Sequence, residues 1–128
     1  MCAFGGIVYV SVMACIQLDL KKIIAYASIS HMSLAIVGVT CFNIYGISGG
    51  IMLMISHGFT SAGLFILIGI LYDRYHSRLI SDYGGLVHVM PLFSTFFFFF
   101  LWANIGFPGA LGFGGELGVL NGLANSKQ

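Results

Sequence analysis

The sequence predicts an all-α integral membrane protein with four transmembrane helices, the last one discontinuous. Three observations carry that prediction. Only 7% of the 128 residues are charged, 59% are hydrophobic, and mean hydropathy is +1.00. No formal charge occurs between Ile23 and Tyr72. Near the end of the chain, glycine and proline crowd into an otherwise apolar run. A soluble globule is excluded, because so few polar groups could not cover its surface. Disorder requires low hydrophobicity and is excluded too. A net charge of +1 with no basic cluster leaves no footprint for nucleic acid. Long unbroken apolar runs fit helices and not the short alternating strands of a barrel.

The first element spans Met1 to Leu18. At about 1.5 Å per residue it just crosses a core of about 30 Å. It lacks the positive region that precedes a signal peptide, so it is expected to stay in place. Asp19, Lys21 and Lys22 follow. The uncharged stretch after them is too long for one span and must fold back once. Asn43, Tyr45 and Gly46 are the expected turn. Helices are therefore placed at 22–42 and 46–72. A polar loop, 73–90, holds Asp73, Arg74, His76, Arg78 and Asp82. Pro91 suits a first helical position and opens a fourth helix running to about residue 124. With no internal repeat and no linker, residues 1–128 form one bundle.

Lys21, Lys22, Arg74 and Arg78 lie in two loops separated by two spans. They share one face, expected to be cytoplasm or mitochondrial matrix, with both termini opposite. Cys2, Cys15 and Cys41 are odd in number and form no C-x-x-C motif. They read as small apolar residues and not as a disulfide or zinc set.

Ionisable residues within a span are functional candidates by default. His57 falls about 16 Å into its span and His31 about 13 Å into the preceding one. Histidine titrates near neutral pH and can relay a proton; each could equally donate one hydrogen bond across a helix contact. His76 and His88 fall in the polar loop. Glu116 would lie about 37 Å along a straight fourth helix, beyond the core. Residues 104–115 read N-I-G-F-P-G-A-L-G-F-G-G. Gly106, Pro108 and Gly109 mark a helix break, which shortens the advance and returns Glu116 towards the midplane. Unwound backbone at depth marks ion paths. The alternative is close packing through glycine, of the kind Gly46-x-x-x-Gly50 and Gly118-x-x-x-Gly122 allow. A carboxyl held in low dielectric takes up and releases protons nearer neutrality. Hydroxyls at Ser28, Ser30, Ser33, Ser56, Thr60 and Ser61 could carry water or bond back to their own helices. There is no phosphate loop, nucleotide fingerprint or paired carboxylate, and nothing that would bind a flavin or an iron–sulfur cluster.

Several segments together resemble a known family. D-L-K-K-I-I-A-Y-A-S at 19–28, followed by Ser30-His31-Met32, is similar to the antiporter-like subunits of respiratory complex I. Ser56-His57-Gly58 fits the same family. Leu71-Tyr72-Asp73-Arg74, His76-Ser77-Arg78, Gly84-Gly85-Leu86, Phe107-Pro108-Gly109 and Gly115-Glu116 resemble its subunit 4 type. The resemblance covers about residues 16–121. It implies a fourteen-helix fold of two inverted repeats, of which this chain resembles the second, so its four helices would be part of an antiporter-like bundle. It implies that His31 and His57 relay protons and that Glu116 is the terminal titratable group. It implies a subunit of NADH:ubiquinone oxidoreductase with no cofactor in this chain, FMN and iron–sulfur clusters residing in other subunits. The implied partners are the remaining pieces of the same subunit, neighbouring antiporter-like membrane subunits, and lipid. The implied location is the mitochondrial inner membrane, or alternatively a bacterial inner membrane. Ala110 departs from a Thr common in the family, Gly114 from a larger apolar residue and Leu117 from an aromatic one. The first repeat is missing, so the chain is expected to be a piece of a split subunit or a fragment. A multi-subunit sodium/proton antiporter, a membrane-bound hydrogenase and a non-pumping structural remnant are the alternative readings.

Overall fold

A computed structural model describes residues 2–126. Met1, the expected start of the first helix, lies outside them, as does the Cys2 side chain. The regular structure of the described residues is helical: α1 (Cys2–Ile16), α2 (Leu20–Thr40), α3 (Ile44–Tyr75), α4 (Leu86–Val89), α5 (Pro91–Ile105) and α6 (Leu111–Asn125). No strand occurs among them, only isolated bridges at Asp19–Leu79 and Pro108–Ala110. Two helices, α2 and α3, are long and apolar enough to cross a membrane; α1 and α5 are apolar but shorter. The expectation of four full spans is therefore matched by two. The long fourth helix is instead two 15-residue segments, each about 22 Å in length.

The turn between α2 and α3 comes earlier than the sequence suggests. Cys41 caps α2, Phe42 takes a left-handed φ of 51°, and Asn43 begins the next helix. Tyr45 and Gly46 are helical. Gly46 serves packing, since a Cβ there would lie 2.6 Å from the Gly38 carbonyl oxygen. At its other end α3 continues three residues past the expected boundary, to Tyr75, and stops at left-handed His76. A 32-residue helix is about 48 Å long, so its last turn, with Asp73 and Arg74, reaches beyond the apolar core. The expected polar loop contains a short 3-10 turn, Ile80–Asp82, and α4.

Helix α3 is the hub. Small residues let α6 lie antiparallel to it at backbone contact, which is how helices associate where lipid offers no hydrophobic drive. A Cβ at Gly49 would sit 2.7 Å from the Gly118 backbone, one at Gly115 2.8 Å from Leu53, and one at Gly122 2.5 Å from Gly46. Helix α2 packs on another face through Ala35 and Gly38 against Gly50 and Gly46. Towards the charged end, Ile24, Leu64 and Ile68 form a buried apolar cluster, with Leu20, Phe65, Phe97, Phe100 and Leu101 against it. At that end the backbone N–H of Leu20 donates to the Arg78 carbonyl at 3.1 Å, and that of Ile80 to Leu18 at 3.2 Å. Lys21 and Lys22 in the first turn of α2, Arg74 in the last turn of α3 and Arg78 in the loop beyond it thus share one end of the α2–α3 pair, as their sequence positions require.

Candidate functional site

The site is built around the break between α5 and α6. Helix α5 ends in a Schellman motif, the 6→1 and 5→2 pattern that satisfies its last carbonyls. The N–H of Phe107 donates to Trp102 and that of Gly106 to Ala103, both at 3.4 Å. The motif needs a left-handed residue, and Gly106 supplies φ = 78°. Its usual apolar contact is present as Phe107 against Trp102, with ring centroids 4.5 Å apart. Pro108 follows, where a helix cannot resume. Helix α6 then starts from Ala110, which has N-cap geometry (φ −84°, ψ 148°) but no side-chain oxygen to cap with.

Glu116 lies in the second turn of α6, one residue past Gly115. The helix dipole is strongest within the first turn, so it acts on this carboxylate less than a place at the helix start would imply. The carboxyl group folds back onto the break: a Cβ on Gly106 would meet its Oε2 at 2.9 Å. Gly106 therefore has two reasons to be glycine, its φ and the space over its Cα. His31 on α2 faces Glu116, with Nδ1 3.7 Å from Oε1. That is beyond a direct hydrogen bond and within ion-pair reach once the imidazole is protonated. The His31 ring stacks on His57 of α3, centroids 5.4 Å apart and 29° between planes.

The three residues singled out from the sequence thus come together in the order His57, His31, Glu116. His57 is the buried member at 8% exposure, while the side chains of His31 and Glu116 keep 23% and 27%. A cavity of about 10 Å³ lies between them, roughly the room one water needs. Its wall also includes Ser56, Thr60, Asn104 and Gly112. Asn104 and Gly112 belong to the 104–115 run that marks the break, but that run does not single them out as site residues; Asn104, a polar amide in the last turn before the break, is the signal available. The Thr60 hydroxyl bonds back to the carbonyls of Ser56 and His57 at 3.2 Å each. Ser30 and Ser33 likewise bond within α2. Ser28, one turn from His31, differs: its hydroxyl is buried with no hydrogen-bond partner among the described residues. Pro108 and Gly109 lie in the connection without lining the cavity.

Chemically, the cluster offers two imidazoles and a carboxylate that can share protons through one water, and donors and acceptors around them. No group of three or more metal-binding side chains occurs among the described residues.

Comparison with known proteins agrees with this architecture. The family described as NADH:quinone oxidoreductase/Mrp antiporter, transmembrane, matches residues 1–128. NADH-ubiquinone oxidoreductase chain 4 of Chondrus crispus is 55% identical over 90% of this chain and 23% of its own length. The chain 4 of Triticum aestivum is 53% identical over 91% of this chain and 24% of its own. NADH-quinone oxidoreductase subunit M of Rhodobacter capsulatus is 48% identical over 92% and 23%. The chain spans about a quarter of the length of the curated relatives it matches. On the strength of the match along its whole length, the chain belongs to the NADH:quinone oxidoreductase/Mrp antiporter family of transmembrane proteins.

Proposed function

We propose that the chain is the proton-conducting part of a subunit 4-type membrane component of NADH:ubiquinone oxidoreductase, in which quinone reduction elsewhere drives proton pumping. The observation that carries this is the convergence of His57, His31 and Glu116 on one water-sized cavity beside a helix break. Histidine can accept a proton at one nitrogen and release it from the other. A water in the cavity would bridge the stacked imidazoles, whose rings face one another instead of pointing nitrogen to nitrogen. Protonated His31 would pair with the Glu116 carboxylate; neutral His31 would release it. Glu116 is then the exit group, and its alternating charge is the step that work done elsewhere biases.

In this reading α1, and α5 with α6, complete four crossings within the antiporter-like bundle that the rest of the subunit supplies. His31, His57 and Glu116 are the proton-path residues, and Gly106, Pro108 and Gly109 make the break. The partners are the remaining pieces of the same subunit, neighbouring antiporter-like subunits and lipid. FMN and iron–sulfur clusters belong to other subunits, and the membrane is the mitochondrial inner membrane. The multi-subunit sodium/proton antiporter reading is kept because the family name covers both machines. Purification in mild detergent separates the two, by the presence or absence of NADH-oxidising subunits.

The decisive experiment is Glu116→Gln in the assembled complex. Protons translocated per NADH oxidised should fall well below the fall in assembled complex. Full stoichiometry in that variant would overturn the assignment.

A further inference from the structure

Glu116 has to be held in two charge states, and one side chain on its cavity wall suits both. Helix α5 carries three side chains with oxygen: Ser94, Thr95 and Asn104. Ser94 donates to the carbonyls of Met90 and Pro91 at 3.0 Å, and Thr95 to that of Pro91 at 2.8 Å. Those two are closed within their own helix. Asn104 makes no such bond within α5. It lies about 20 Å along the helix from Pro91, at a depth where lipid offers an amide no partner. What it faces is the cavity of about 10 Å³, whose wall it shares with His31, His57 and Glu116. A cavity of one water's size puts the groups on its wall within one water of one another. The amide is also held in place. The bonds from the Gly106 N–H to Ala103 and from the Phe107 N–H to Trp102 pin the last turn of α5 around Asn104. Gly106, two residues on, lies against the Glu116 carboxyl.

We infer that Asn104 is the positioning residue of Glu116, the group that receives its carboxyl in both charge states, directly or through one water. The inference rests on the proton-path reading and deepens it. A primary amide carries its donor and its acceptor on separate atoms. Towards the carboxylate, the Asn104 N–H donates to one oxygen. His31 Nδ1 lies 3.7 Å from Glu116 Oε1. When the proton on that nitrogen passes to the carboxylate, the imidazole is left neutral and the carboxyl gains an O–H. The acid then donates its O–H to the Asn104 carbonyl oxygen while its own C=O accepts the Asn104 N–H. A hydroxyl has one oxygen for both tasks and cannot make that pair. Thr60 is further committed, since its hydrogen is shared between the carbonyls of Ser56 and His57. Ser56 is the remaining competitor on the wall.

The test reads the Glu116 carboxyl by infrared difference spectroscopy of the assembled complex, oxidised against NADH-reduced. The Glu116 band is the protonated C=O stretch that Glu116→Gln removes. A carboxylic acid carbonyl that loses a hydrogen-bond donor vibrates at higher frequency, so Asn104→Leu should shift this band upwards. Asn104→Ser keeps a donor and an acceptor in a smaller side chain and should bring the band most of the way back. Asn104→Ala, which only removes atoms, should repeat the upward shift and serves where leucine prevents assembly. An unshifted band in Asn104→Leu or Asn104→Ala would overturn the inference and leave the proton path standing. Equal shifts in Asn104→Leu and Asn104→Ser would mark a packing effect and overturn it. A shift in Ser56→Ala without one in Asn104→Leu would give the role to that hydroxyl and overturn it as well. If Glu116→Gln removes no band, Glu116 does not change its protonation, and the proton-path reading falls together with the role of Asn104.

Discussion

Replacing Gly106 by alanine should disable the site through a single methyl group. The perturbation has two parts. At φ = 78° any residue with a Cβ is strained, by about 1–2 kcal/mol. The methyl would also lie 2.9 Å from Glu116 Oε2, where ordinary contact begins at 3.4 Å, so the carboxylate must withdraw by about 0.5 Å. A misplacement of about 1 Å at reacting groups can cost about a hundredfold, so half of it should cost about tenfold in proton transfer. Gly109→Ala is the matched control. Gly109 has φ = 109° and is no less strained by a Cβ, yet its Cβ would meet nothing within 4 Å. Both variants should lower the temperature at which the assembled complex dissociates. Only Gly106→Ala should lower protons translocated per NADH in reconstituted vesicles. Equal translocation in the two variants, whether both intact or both reduced, would refute the claim that contact with Gly106 positions Glu116.

Other outcomes follow from the same geometry. Gly49→Ala should reduce the amount of assembled complex sharply, because its Cβ would strike the Gly118 backbone at 2.7 Å; Gly58→Ala, with nothing within 4 Å, should be tolerated, and blue-native gels would compare them. Ala110→Thr should supply the side-chain oxygen that α6 lacks at its start and stabilise it by about 1 kcal/mol, read as slower amide exchange over the first turn. His57→Ala should leave assembly largely intact and uncouple oxidation from pumping; normal coupling would mark His57 as a packing residue. Tyr83 should titrate above the ordinary tyrosine value, first because burial disfavours the phenolate and then because of Asp82, Tyr72 and Tyr75. Its hydroxyl donates to the Ser77 carbonyl. The stability it lends the Ser77–Tyr83 loop is thus complete below the unfolded tyrosine range and lost as pH rises through the raised value; a phenolate absorbance titration checks the order.

The site was more legible than the helix ends. In so apolar a chain, His31, His57 and Glu116 stood out because charge or titration at depth needs a reason, and the structure brings the three together. The break was legible because Gly106 and Pro108 each stop a helix by a different local mechanism, strain and a missing donor. The turn after α2 was misplaced because Gly46 looks the same in sequence whether it bends a chain or admits a neighbouring backbone. Only the packing separates the two, since a Cβ at Gly46 would lie 2.6 Å from the Gly38 oxygen. The end of α3 was placed early because Asp73 and Arg74 were read as loop, although a helix longer than the membrane is thick can carry charge in its last turn. Asn104 and Gly112 were legible only as parts of the break, because their place in the cavity wall comes from opposite sides of it, through a fold that no local pattern encodes. The orphan hydroxyl of Ser28 is likewise a property of packing: its neighbours Ser30 and Ser33 have the same chemistry and close onto their own helix.

The glycine ladder between α3 and α6 has a mechanical consequence. With no side chains between the two backbones at Gly49–Gly118 and Gly46–Gly122, neither helix can slide or roll without its main chain striking the other. The second half of the broken helix is splinted to the hub, and the first half meets the hub through deformable aromatic rings such as Phe100 on Gly63. Compliance is therefore confined to the aromatic side of the hinge and to the Glu116 side chain itself. A charge cycle at this site would be carried by the swing of one carboxylate against a fixed frame, without travel of the helix that bears it.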